Sequence, residues 1–178
     1  IHERLVGSEM CIRDSSSTVH WRFTEPSGRQ IVLEIVDEIM HFYENPLGVL
    51  TNSPGLEWHW TNLNNYINLQ PGTPPEHNYG PLQMKSFGHG AGLLGLPGDF
   101  TPPSRFVRAT FFQLTAPQQA SAQESIFQAF HILNNFDIPT GTEQPWGKAS
   151  ADVPSATQFT VATCLLYTSP SPRDAHES

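Results

Sequence analysis

The chain has 178 residues, 38% of them hydrophobic, and is long enough for one domain with a real core. Its formal net charge of -8, with only nine Lys and Arg, argues against a nucleic-acid partner, because phosphate binding needs a clustered basic face. No apolar run approaches the length of a membrane span, and 16 Pro with 13 Gly point to turns and long loops rather than a helical bundle.

Residues 19–23 (VHWRF) are predicted as a strand, Glu25-Pro26-Ser27-Gly28 as a tight turn, and residues 30–36 (QIVLEIV) as the second strand of a hairpin. Residues 39–43 give a third strand before the Asn45-Pro46 turn. The apolar run 47–50 reads as a short buried strand ending near Asn52, because Pro54 cannot donate to a ladder and biases Ser53 away from helix. Over residues 56–69 the period changes. Leu56, Trp60, Leu63 and Ile67 fall on one helical face, and Trp58 and Trp60 flank His59, with core packing the expected fate of the aromatics.

Residues 70–81 read as loop, and 82–97 as a second loop with glycines at 88, 90, 92, 95 and just beyond it at 98. No Gly-Lys-Ser/Thr follows, so this is not a phosphate loop; the glycines let backbone run close to another surface or to a substrate. Thr101-Pro102-Pro103-Ser104 is a helix start, with the N-cap at Thr101 or Ser104. A helix over 105–114 then places Phe106, Ala109 and either Phe112 or Thr110 inward. A second helix spans 121–135 on the period of Ile126, Phe127, Phe130, Leu133 and Asn134; residues 136–151 are loop, and 157–163 (TQFTVAT) close with a strand. Strands, then two helices, then a returning strand describe an α+β fold rather than alternating βα units.

From residue types alone the chemistry stays open. Asn52 either caps a turn or, at the mouth of a strand, offers a positioned amide to a ligand. Arg105 reads as a surface helix arginine, Asp99 as a local loop anchor, and His89, between two glycines with no dyad partner nearby, as a solvated loop histidine. The eight histidines are scattered without a His-Glu-x-x-His, and Cys11 and Cys164 make no zinc pattern, so neither a metal nor another cofactor is expected.

Two longer stretches carry a resemblance. Residues 45–65, NPLGVLTNSPGLEWHWTNLNN, and 92–112, GLLGLPGDFTPPSRFVRATFF, resemble in order two signatures of the choloylglycine hydrolase and penicillin V acylase family. These are linear-amide C–N hydrolases with an N-terminal cysteine nucleophile. The resemblance implies a partial αββα sandwich of the N-terminal nucleophile hydrolase type, an antiparallel sheet covered by helices. It implies a small-molecule amide substrate with an apolar half, a homotetrameric parent, and a bacterial cytoplasmic or periplasmic location. Asn52 matches the family's oxyanion-hole asparagine in its Thr-Asn-Ser-Pro context, and Arg105 its active-site arginine in Ser-Arg-Phe; Arg108 is the alternative carrier of that charge.

The head, EMCIRDS, and the tail, CLLYTSPSPRD, resemble translated library-adapter sequence. Residues 1–15 and 164–178 are therefore expected to be non-native, leaving 16–163 as an internal fragment of one domain. Cys11 is not expected to be the nucleophile, because Ser27, Gly28 and Gln30 stand where the family's partner arginine and aspartate should fall, and Asn52 follows too soon. The fragment is then inactive by itself. Its parent is expected to be an amidohydrolase, penicillin V acylase-like on the forms TPPSRFVRA and GHGAGLLG, ahead of conjugated bile salt hydrolase or N-acyl homoserine lactone acylase. A non-catalytic binding descendant is the alternative of another class, to be told apart by the residue at the true N-terminus.

Overall fold

The structure is a computed structural model that describes residues 20–148 and 156–162. Cys11, Cys164 and the suspected ends lie outside the described residues. The chain forms two compact units, one of residues 49–117 and the other of the segments on either side.

The flanking unit holds an antiparallel sheet in the order β1 (His20–Thr24), β2 (Gln30–Val36), β3 (Ile39–Glu44). The predicted 25–28 turn closes the first hairpin, with Gly28 N–H donating to Glu25 O at 2.9 Å. The second hairpin turns at Asp37 and Glu38, both at positive φ (51° and 65°), the conformation a two-residue hairpin loop demands even without glycine. On the inner face of β2, Val32 and Glu34 are buried two residues apart, as the strand period requires. His20 stands directly across from Glu34, its Nδ1 2.9 Å from the carboxylate. Burial pushes the His20 pKa down, and the Glu34 charge opposes that shift.

In the same unit α3 spans Ala122–Leu133 and opens with a full capping box. Ser121 Oγ accepts from Glu124 N–H at 3.2 Å, and the Glu124 carboxylate accepts from Ser121 N–H at 3.1 Å. No residue of α3 is buried, although Phe127 lies on its apolar stripe. The closing strand is not formed: among the described residues 157–162 carry no ladder. Thr157 exchanges bonds with Ile138, and Phe159 and Val161 stay exposed. Alternation without a partner strand does not make a sheet.

The predicted strand at 47–50 is also absent. Gly48 takes φ 64° and its N–H returns to Asn45 O, so the chain turns where an extended run was expected.

The unit 49–117 starts with α1 (Leu56–Asn62), which tightens into a 3-10 turn over Leu63–Tyr66. Ile67, expected inward, falls beyond the helix and is exposed. The expected loops at 70–81 and 82–97 contain a small hairpin, β4 (His77–Tyr79) and β5 (Leu82–Met84), turned by Gly80 at positive φ. All six of its strand residues are exposed, so it has no apolar face for a periodic pattern to reveal. Helix α2 spans Pro102–Thr115, starting on its two prolines three residues earlier than predicted. It buries Ser104, Phe106, Val107, Arg108 and Thr110, while Ala109 and Phe112 are only half-buried.

Gly92 is where backbone does run close to backbone. It exchanges main-chain bonds with Gln70 and Gly72, and a Cβ there would lie 2.2 Å from Gln70 O. Gly92→Ala is expected to lower unfolding free energy by about 1–3 kcal/mol through overpacking. Gly98→Ala, with open space around its Cβ, should stay within about 0.5 kcal/mol of the parent in the same denaturant titration.

Candidate active site

Loop 51–55 precedes α1, is bonded to both α1 and α2, and has no ladder to hold it. Side chains hold it instead. Thr51 donates its hydroxyl to Pro102 O in the first turn of α2 at 3.3 Å. From α1, His59 Nε2 lies 2.9 Å from Asn52 O and 3.2 Å from Thr51 Oγ1. A carbonyl only accepts, so the hydrogen of that contact sits on Nε2. The His59 ring is fully buried and stacks on Phe106 of α2 at 4.7 Å and 11°, with Trp58 edge-on at 5.6 Å. Leu56, Phe106 and Val107 of these helices are buried, each worth about 1.5–3 kcal/mol of burial.

The start of α2 is fixed by Asp99. Thr101 is the N-cap by position but makes no side-chain cap bond. One Asp99 oxygen accepts from Thr101 N–H at 2.9 Å and from its hydroxyl; the other accepts from Ser104 Oγ at 2.6 Å. Donation from Ser104 and then Thr101 holds the Asp99 carboxyl down at about 2. Arg108, buried at 5% exposure, donates Nη1 to Pro97 O at 2.8 Å and Asp99 O at 2.6 Å. Burial lowers its pKa and Asp99 opposes that. This guanidinium ties the 97–99 loop to α2.

Arg105, one turn earlier, points elsewhere. Its Nη2 donates to Asn52 Oδ1 at 2.7 Å. Because a guanidinium has no acceptor, the Asn52 amide must turn its oxygen toward Arg105 and its two N–H donors away. Asn52 is exposed and Arg105 half-buried. The structure thus brings together the two residues singled out in the sequence, and separates the two arginines into different tasks.

A family model for linear amide C-N hydrolases, choloylglycine hydrolase family, matches residues 2–168. The chain belongs to that family. Among its relatives, the bile salt hydrolase/transferase of Clostridium perfringens (strain 13 / Type A) is 37% identical over 150 residues, 84% of this chain and 44% of that protein. The bile salt hydrolase/transferase of Lactiplantibacillus plantarum is 39% identical over 125 residues, covering 70% of this chain and 38% of that one. Two crystal structures of variants of the conjugated bile acid hydrolase from Clostridium perfringens superpose with TM-scores of 0.61 and 0.63, at 39% and 38% identity. They match 69% and 71% of this chain, which covers 38% and 39% of theirs. The chain therefore spans about two-fifths of the length of the relatives it matches, and its antiparallel sheets and helices form part of the choloylglycine hydrolase α+β fold.

Reasoning from sequence passed over His59. The signal was available: His59 lies three residues after Leu56 and four before Leu63, on the inner face, where a polar ring needs a partner. Trp58 is exposed and Trp60 half-buried, and His89 is an exposed loop residue. Among the described residues no three His, Cys, Asp or Glu side chains gather as a metal would require, and no helix is long and apolar enough to cross a membrane.

Asp99 gives a pH test. Its folded pKa of about 2 lies below the unfolded 3.8, so its contribution is full above pH 4 and is lost as pH falls through 2. Asp99→Asn should lower the melting temperature at pH 6 and flatten the loss of stability between about pH 4 and 2, read by thermal melts across that range.

Proposed function

We propose that the whole protein hydrolyses a linear amide C–N bond through an N-terminal cysteine, with Asn52 donating to the oxyanion. In that reaction the free α-amine takes the thiol proton and becomes the α-ammonium, the sulfur bonds to the amide carbonyl carbon, and the carbonyl oxygen takes the negative charge. The C–N bond then breaks, the amine leaves with a proton from the α-ammonium, and water hydrolyses the thioester. The transient oxyanion needs donors already in place. The Arg105 contact to Asn52 at 2.7 Å carries this reading, because it leaves the Asn52 N–H donors free to face an incoming oxygen. The fixed positive charge of Arg105 beside them adds field of the favourable sign, both for the oxyanion and for a thiolate.

Conjugated bile salts are the substrate class we favour. Relatives that match most of this chain are named bile salt hydrolase/transferase or conjugated bile acid hydrolase, which outweighs the short motif forms that pointed toward penicillin V. Each substrate presents an amide attached to a bulky apolar half, so the assay must decide between them.

Full-length protein is expected to release amine from a conjugated bile salt faster than from penicillin V at equal concentration. The opposite order would restore the acylase assignment, and no turnover of either would favour a binding descendant. Asn52→Ala should lower kcat by about 10²–10³ with little change in KM, as loss of an oxyanion donor does. Wild-type kcat in that variant would remove Asn52 from the mechanism. Arg105→Ala should also lower kcat, since the Asn52 amide then loses the group that sets its orientation.

A further inference from the structure

Histidine at position 59 requires an explanation that packing does not give. The ring is fully buried and lies flat on Phe106. A phenylalanine would stack there as well without burying polar nitrogen, whose desolvation is costly. Among what histidine adds is the Nε2–H donor, which lies 2.9 Å from the Asn52 carbonyl, with the Thr51 hydroxyl at 3.2 Å. Since Nε2 carries the hydrogen, it is not a base toward a substrate.

The two helices thus grip one residue at two points. Helix α1 fixes the Asn52 main chain through His59, and α2 fixes its side chain through Arg105. Thr51, bonded to Pro102 O, closes the link between the helices. With no strand under the loop, Arg105 alone would set which way the amide is turned, while the main chain that carries it would lose the His59 bond.

We infer that His59 is a positioning residue for the reaction, aiming the Asn52 amide by holding its backbone carbonyl. This rests on Asn52 being the oxyanion donor proposed above. His59 touches neither substrate nor nucleophile in this role; it acts only through Asn52.

The test uses full-length protein and four variants: His59→Phe, His59→Gln, Asn52→Ala and the double His59→Phe/Asn52→Ala. His59→Phe keeps the stack and removes the donor, and should lower kcat roughly ten- to hundredfold, the scale of an ångström of misplacement, with KM within about twofold. His59→Gln places an amide N–H at comparable reach and should recover most of the rate. In the Asn52→Ala background, His59→Phe should cost no more than about a further twofold, since its target is gone. Wild-type kcat in folded His59→Phe overturns the inference, as does a full multiplicative loss in the double variant. Should His59→Phe not fold, His59→Asn replaces it, because the shorter amide does not span to the Asn52 carbonyl. Equal rates in folded His59→Asn and His59→Gln would then overturn the inference. Wild-type turnover in Asn52→Ala alone identifies a failure of the proposed function rather than of the positioning.

Discussion

The orientation of the amide at the candidate site depends on one hydrogen bond, from the Arg105 guanidinium to the Asn52 amide oxygen at 2.7 Å. An asparagine side chain offers one acceptor and two donors, and in an exposed loop it would sample both orientations. A guanidinium removes that ambiguity, because it only donates. The choice of orientation is chemical as well as geometric: a turned amide would present an acceptor lone pair to a developing negative charge. Charge-assisted bonds of this kind are among the stronger polar contacts in proteins, which suits a loop lacking a ladder.

That bond has meaning only if Arg105 itself is fixed, and α2 supplies the fixing. Its first two positions are prolines, which need no N–H partner, and its entry is held by the Asp99 carboxylate on Thr101 and Ser104. Arg108 then draws the preceding loop back onto the helix through two carbonyls. Two arginines one turn apart therefore divide the work. Arg108 is buried and serves the backbone, while Arg105 is half-buried and reaches the loop that carries Asn52. Their separation follows from the helical period, since three residues turn the side chain by most of a revolution without restoring its direction.

The hairpin β1–β2 and strand β3 were legible because their apolar and β-branched runs are punctuated by real turns, α2 because its start signal is strong, and α3 because its apolar residues keep the helical period. The losses have specific causes. Residues 47–50 have the composition of a strand, but Gly48 at positive φ bends the chain out of it. The β4–β5 hairpin is exposed throughout and therefore shows no two-residue apolar period. Residues 157–162 alternate as a strand should, yet pairing is a property of the partner and cannot be read from one segment. At the site, the family resemblance decided for Asn52 and Arg105; by residue type Asn52 was a turn former or a positioned amide, and Arg105 a surface cation. His59 was hidden by its two tryptophan neighbours, which drew the reading toward core packing.

The most direct measurement is a crystal structure of the full-length protein trapped with an aldehyde analogue of its substrate, which forms a tetrahedral adduct on a nucleophilic thiol. The adduct oxygen should lie roughly 2.7–3.1 Å from Asn52 Nδ2, with Arg105 still on Oδ1. An adduct oxygen turned away from Asn52, or an Asn52 side chain released from Arg105 and pointing its oxygen at the adduct, would contradict the account.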